Sequence, residues 1–129
     1  MPSTVGTLVT LDDVLTEGAD GQYVEVDLTD PATGAAITTG SIVSITGTLA
    51  SLDTGAAVFS AANLVSTGRS SYPGTAGRVR ITFTPADMAA VGTRERQRRE
   101  LTLVIVHSTS KVFHCAVRFG LLNLSVVGA

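Results

Sequence analysis

Few residues of this chain have the types and spacing that chemistry requires. His107 and His114 fall in two neighbouring apolar runs, LTLVIVH and VFHCAVRF. Two imidazoles can start a zinc site, but no third ligand of known proximity and no paired carboxylate motif accompanies them, so no metal is predicted. Serine and threonine are abundant, yet there is no Gly-x-Ser-x-Gly elbow and no Ser-His-Asp arrangement to activate one of them. Cys115 is the single cysteine. It has no intrachain disulfide partner, and its apolar neighbours predict a buried, inert thiol. The glycine-rich stretch STGRSSYPGTAG, residues 66 to 77, lacks the GxxxxGK[ST] spacing and the strand-to-helix context that cradle phosphate. The expectation is a protein without catalytic residues and without a cofactor.

Charge is the more informative chemistry. Arg94, Arg96, Arg98 and Arg99 lie in one run, RERQRRE. Four arginines could contact nucleic-acid phosphates. However, Glu95 and Glu100 interrupt them, stacking aromatics are missing, and the whole chain carries a formal charge of −2. A solvated strand edge or a protein interface is expected instead, because arginine forks pair well with carboxylates. Residues 1–68 hold eight acidic side chains and no lysine or arginine, whereas residues 69–129 hold nine basic against three acidic. Two arrangements satisfy that asymmetry. The charges decorate neighbouring strands of one domain, or acidic and basic surfaces of adjacent copies meet and fix register. In the second arrangement Asp12 and Asp13, which otherwise cap or end a local element, join the four arginines as candidate interface residues.

These residues have to be positioned by short strands. The composition is rich in Gly, Ala, Ser, Thr and Val, and tryptophan is absent, which suits an all-β chain with many turns. The length suits one domain, and no apolar run approaches the roughly 18–20 residues a membrane span needs. With Asp12 and Asp13 near its start in place of a basic, signal-like region, the chain is expected to be made in the cytoplasm as a soluble product.

The stretch around which the rest is organised is Arg78 to His107. RVRITFT alternates Val79, Ile81 and Phe83 with polar residues, the period of a strand with one buried face. Thr84 then caps a short helical turn predicted over Pro85 to Val91, with Asp87 near its N-terminal end and Gly92 at its exit. The chain returns as the apolar strand LTLVIVH, and such a strand, turn and strand is how a sandwich crosses between its sheets.

Tyr23 to Leu28 is a strand with Val24, Val26 and Leu28 on one face. Ile42 to Leu49 is another, with Val43, Ile45 and Leu49 inward and Gly47 as a bulge or close contact. Ala56 to Ser60 follows, extended by Ala61 to Leu64. The 66–77 loop carries Arg69 and Tyr72, either as a binding element or as an inert connection. Leu101 to His107 and Val112 to Phe119 form a hairpin turning at Ser108 to Lys111. A four-residue loop sets His107 across from Val112 and His114 across from Ile105. It turns Val104, Val106, Phe113, Cys115, Val117 and Phe119 inward and leaves Leu103 and Ile105 on an apolar outer face. A one-residue change in loop length swaps these faces. Residues 1–21 are read as an arm, either a strand from Val5 to Leu11 or a short helix from near Asp12, packed in cis or on a neighbour. Residues 22–129 form the sandwich domain, ending in an apolar strand or tail in which Leu122, Leu124 and Val126 alternate.

The order VEVDLTDPATGAAI, SIVSITGTL, a turn-rich middle, GRVRITFTPADMAAVG and LTLVIVHSTSKVFHCAVRF resembles immunoglobulin-like domains of tailed-bacteriophage virion proteins. Over residues 22–120 it is similar in layout to the N-terminal domain of the phage upper baseplate protein family. The resemblance implies a two-sheet immunoglobulin-like β-sandwich and a structural role in a virion. Such a protein decorates the capsid or joins neck, tail or baseplate components, through repeated contacts with other virion proteins in a homo-oligomer or array. It carries over no catalytic residue. The longer N-terminal lead and an ending near Ala129 fit a decoration or connector protein better than a baseplate hub. The alternative expectation is an adhesion or carbohydrate-binding module that uses Tyr72 and Arg69 in the 66–77 loop, since sugar sites stack rings on exposed aromatics.

Overall fold

A computed structural model describes residues 4–16, 21–30, 33–74, 76–89, 96–107 and 111–122, with residues 4–14 described in their backbone alone. Eight strands form: β1 Thr4–Thr16, β2 Tyr23–Asp27, β3 Ile42–Ser51, β4 Ala57–Asn63, β5 Ser70–Ser71, β6 Arg78–Thr82, β7 Arg96–His107 and β8 Val112–Leu122. They build an all-β, two-sheet sandwich. The larger sheet has the order β1-β8-β7-β3-β4 and the smaller the order β2-β6-β5. Neighbours run antiparallel except β1 and β8, which are parallel.

The smaller sheet follows from strict alternation. Val24 and Val26 on β2, and Val79 and Ile81 on β6, are buried, and the residues between them face outward. Their partners in the core come from one face of the larger sheet. Across β3, β7 and β8 the inward rows read Ile45, Ile105, Phe113; Gly47, Leu103, Cys115; and Leu49, Leu101, Val117. Phe83, just beyond β6, closes the core against Phe119, with ring centroids 5.5 Å apart. Burying large apolar side chains of this kind stabilises the fold by about 1.5–3 kcal/mol each.

The β7–β8 hairpin differs from the expected register by one residue. Val106 pairs with Val112, and the His107 N–H donates to the Lys111 carbonyl at 2.8 Å. The faces therefore swap: Leu103 and Ile105 are core, and Val104 and Val106 face outward. His107 is buried and His114 exposed, on opposite faces of the sheet. Val43 is also not inward. The β3–β7 register slips between Ile42 and Ser44, and this bulge leaves Val43 65% exposed.

The helical turn expected over Pro85 to Val91 forms as consecutive reverse turns. Asp87, Met88 and Ala89 donate to the carbonyls of Thr84, Pro85 and Ala86. Residues 90–92 lie outside the described part of the chain. Among the described residues the single 3-10 turn is at Thr39–Ser41. The N-terminal segment pairs in cis as edge strand β1, from Thr4 opposite Val112 to Thr16 opposite Leu122, with a register shift between Thr10 and Val14. The Gln22 side-chain amide clasps its end, accepting from the Thr16 N–H and donating to the Thr16 carbonyl. β8 continues through Leu122, and residues 123–129 are outside the described part.

One glycine is required by both conformation and space. Gly77 has φ +74°, and a Cβ there would lie 2.5 Å from the Leu28 carbonyl oxygen. Backbone cannot swing aside as a side-chain end can. Gly77→Ala is expected to destabilise by about 1–3 kcal/mol, read as a lower midpoint in urea unfolding with the slope unchanged.

Candidate functional site

The two outer faces of the sandwich differ in chemistry. On the smaller sheet, directly opposed residues of β2 and β6 are ion pairs. Arg78 donates to both Asp27 oxygens at 2.7 and 3.1 Å, and Arg80 donates to Glu25 at 3.3 Å. The Arg80 guanidinium also lies 4.1 Å from the centroid of the Tyr23 ring. Hydrogen bonding from Arg78 holds the Asp27 carboxyl below its usual range. This face is charged and internally satisfied.

The outer face of the larger sheet is polarised along its strands. At one end Ser44, Val106 and Val112 form a row, then Thr46, Val104 and His114, then Thr48, Thr102 and Ala116. These rows contain no Asp, Glu, Lys or Arg. At the other end lie Ala50, Glu100 and Arg118, followed on β7 by Arg98 and Arg96. Arg118 donates to Glu100 at 2.7 Å. Arg98 donates to Asp53 through its backbone N–H at 2.9 Å and its Nε at 3.0 Å. Arg96 is exposed and makes no ion pair among the described residues.

The arginine run is thus divided by the pleat. Arg96 and Arg98 face solvent, while Gln97 and Arg99 face the core between the sheets. Nor is the run on a strand edge, because β7 lies between β3 and β8. Arg99 is fully buried, in a row with Ser51 and Phe119, and presents no surface to a partner. Its Nη2 donates to the Gln97 Oε1 at 2.9 Å and the Ala89 carbonyl at 3.2 Å, its Nη1 to the Arg98 carbonyl at 3.4 Å, and its Nε has no acceptor among the described residues. Desolvation lowers its pKa, against the opposing pull of Asp53. Arg94 lies outside the described residues. Asp12 and Asp13 fall in β1 where its pairing with β8 shifts register, and their side chains are outside the description.

Arg69 is likewise committed. It donates through Nε and Nη2 to both carboxylate oxygens of Asp87, at 2.8 and 2.9 Å, and its guanidinium lies 5.0 Å from the centroid of the Phe59 ring. Thr84 and Asp87 exchange hydrogen bonds in turn: the Thr84 N–H donates to Asp87, and the Asp87 N–H to the Thr84 hydroxyl. The 66–77 loop is therefore pinned to the 84–89 turn by the Arg69 guanidinium. Tyr72 remains 43% exposed, its hydroxyl pKa raised by burial of its surroundings. The Asp87–Thr84 exchange and the stacked Phe59 carry no sequence motif. The inward direction of Gln97 and Arg99, by contrast, follows from their even spacing to Leu101.

Most acidic residues of the first half that the structure describes pair with basic residues of the second: Asp27 with Arg78, Glu25 with Arg80, Asp53 with Arg98, and Asp30 with Lys111. Of the two arrangements the sequence allowed, neighbouring strands of one domain account for these four pairs. A cavity of about 220 Å³ opens beside Asp30 and Lys111, lined also by Thr33, Ile37, Thr38 and His107. The His107 Nε2 lies 3.1 Å from the Thr38 carbonyl oxygen. Among the described residues no three His, Cys, Asp or Glu side chains are grouped to hold a metal ion, and no helix is long and apolar enough to cross a membrane. Cys115 is buried, which pushes its thiol up to about 11 and away from the reactive thiolate.

No protein-family model matches this chain, and no curated protein matches it in sequence.

Proposed function

We propose that this protein is a structural subunit that works by repeated protein–protein contact, and that its setting is the virion of a tailed bacteriophage, as a capsid decoration or a neck, tail or baseplate connector. The setting comes from the resemblance in strand layout. The mode of action rests on one observation: the smaller sheet's outer face is closed by its own ion pairs, while the larger sheet's outer face offers an uncharged Val/Thr/Ala surface beside Arg96 and Arg98. Uncharged β-branched surface next to an accessible guanidinium is what a docking face needs, because desolvation is cheap at its centre and arginine supplies orientation at its rim. The sheet's flank is small, so single contacts are weak and many must act together. The partners are other virion proteins and further copies of this chain, with no cofactor and no catalysis.

The surface is tested by reversing charge at the two exposed arginines. In the Arg96→Glu/Arg98→Glu variant, assemblies larger than a dimer are expected to be lost, and in the wild type they are expected to weaken as salt rises. Light scattering coupled to size-exclusion chromatography at low and high salt reads both effects, and circular dichroism checks the fold. Unchanged assembly in a folded variant would remove this face from the reading. The carbohydrate-binding alternative retains Tyr72 but has lost Arg69 to Asp87.

A further inference from the structure

The reading of the chain as an assembly subunit leaves open where one copy meets the next, and β4 supplies an answer. β4 is the outermost strand of the larger sheet on the side away from β1. From Asp53 to Arg69 the chain passes through TGAAVFSAANLVSTG without a charged residue. Edge strands normally carry charge, proline or great shortness to discourage pairing, and β4 carries neither charge nor proline over its seven residues. The other edges are guarded. β1 carries Asp12 and Asp13, β2 carries Glu25 and Asp27, and β5 is two residues long. A second copy added at β1 or β2 would bring strands with charged residues to the seam. A second copy added at β4 would not.

The turns at either end of β4 strengthen the case. Leu52 in the turn before it is 37% exposed, and Val65 in the turn after it is 51% exposed. These are two of only five large exposed apolar residues among those described. Ala61, with φ 48°, ends the regular extended run, so the pairing segment is Ala57 to Ser60. In an antiparallel pair about a two-fold axis, any contact from i to j is returned from j to i. An axis between Val58 and Phe59 sets Ala57 opposite Ser60 of the other copy. It also brings the Leu52 turn of each copy to the Val65 turn of the other, covering both exposed side chains at once.

We infer that β4 pairs antiparallel with β4 of a second copy, joining two five-stranded sheets into one continuous sheet and closing the edge. The pairing uses backbone hydrogen bonds and apolar contact, so it is insensitive to salt, unlike association through Arg96 and Arg98. The test is analytical ultracentrifugation of the full chain over a range of concentrations in high salt. The wild type is expected to give a monomer–dimer equilibrium, and Ser60→Lys to weaken it by at least about tenfold with the circular dichroism spectrum retained. The Ala57→Cys/Ser60→Cys variant is expected to crosslink the dimer under mild oxidation, position 57 of each copy facing position 60 of the other and Cys115 being buried. The Arg96→Glu/Arg98→Glu variant is expected to dimerise like the wild type. A wild-type monomer throughout, or a dimer that survives Ser60→Lys without crosslinking in Ala57→Cys/Ser60→Cys, would overturn the β4 pairing. A dimer lost only in the arginine variant would also overturn it, while leaving the assembly reading in place.

Discussion

Arg99→Ala is expected to destabilise the fold by about 3–5 kcal/mol, whereas Arg99→Met leaves stability unchanged or raises it. The opposite signs follow from what the guanidinium does between the sheets. It is fully buried, held by two backbone carbonyls and the Gln97 amide oxygen, with no carboxylate among the described residues within hydrogen-bonding distance. Dehydrating a full charge is costly, and neutral acceptors return only part of that cost. Methionine keeps most of the aliphatic stem and removes the charge. Alanine opens a cavity beside Phe119 and strips the Ala89 carbonyl of its donor. For a domain of this size the alanine variant's melting temperature falls on the order of 10 °C or more. Thermal unfolding followed by circular dichroism compares the two, and equal losses in both would mean that the charge itself stabilises the interior.

Arg69→Ala is the second substitution with a large expected effect, a loss of about 3–5 kcal/mol, because it leaves the Asp87 carboxylate buried without its partner. Asp87 is 4% exposed. Burial pushes its carboxyl upward, but the Arg69 hydrogen bonds, the Thr84 N–H, the Arg69 charge and the Thr84 hydroxyl together outweigh burial, and the net shift is downward from 3.8. A carboxyl with a depressed folded pKa stabilises the fold above its unfolded pKa. That contribution disappears as pH falls through the folded value. Wild-type stability is therefore expected to drop as pH goes below about 4, and Asp87→Asn to show a shallower drop over the same range. Urea unfolding between pH 5 and pH 2 measures both slopes. Parallel slopes would show that the Arg69–Asp87 bridge is not linked to acid unfolding.

The parts of this fold that could be read from the chain are those where one face alternates without interruption. Val24, Val26, Val79, Ile81 and Phe83 announce their burial because each polar neighbour between them has a reason to face water. LTLVIVH gives no such signal, since every residue from Leu103 to Val106 is apolar, and only the turn decides which of them point inward. The turn holds one residue more than expected, and the β7 face inverts, while Phe113, Cys115, Val117 and Phe119 of β8 stay inward as expected. Val43 fails for a related reason: a bulge adds a residue to one strand without leaving a composition cue. The run RERQRRE differs again: its alternation sets Gln97 and Arg99 in step with Leu101 on the buried face, and Arg99 is an exception to the tendency of arginine to face water. The site itself was half legible. Arg96 and Arg98 stand on an exposed face as expected, while the commitment of Arg69 to Asp87 depends on residues 18 positions apart that only the folded chain brings together.

The parallel pairing of β1 with β8 has a consequence for how the molecule is made. Thr4 finds Val112, and Thr16 finds Leu122, so β1 pairs with a strand that is synthesised more than 100 residues after it. At roughly 5–20 residues per second, more than 100 residues of synthesis keep β1 waiting for at least several seconds. Its pairing partner is missing meanwhile, and the loop to be closed spans more than 100 residues, which slows folding in the manner of other non-local β topologies. The larger sheet is therefore completed after translation has passed β8, and the nascent chain is most vulnerable to mispairing before then.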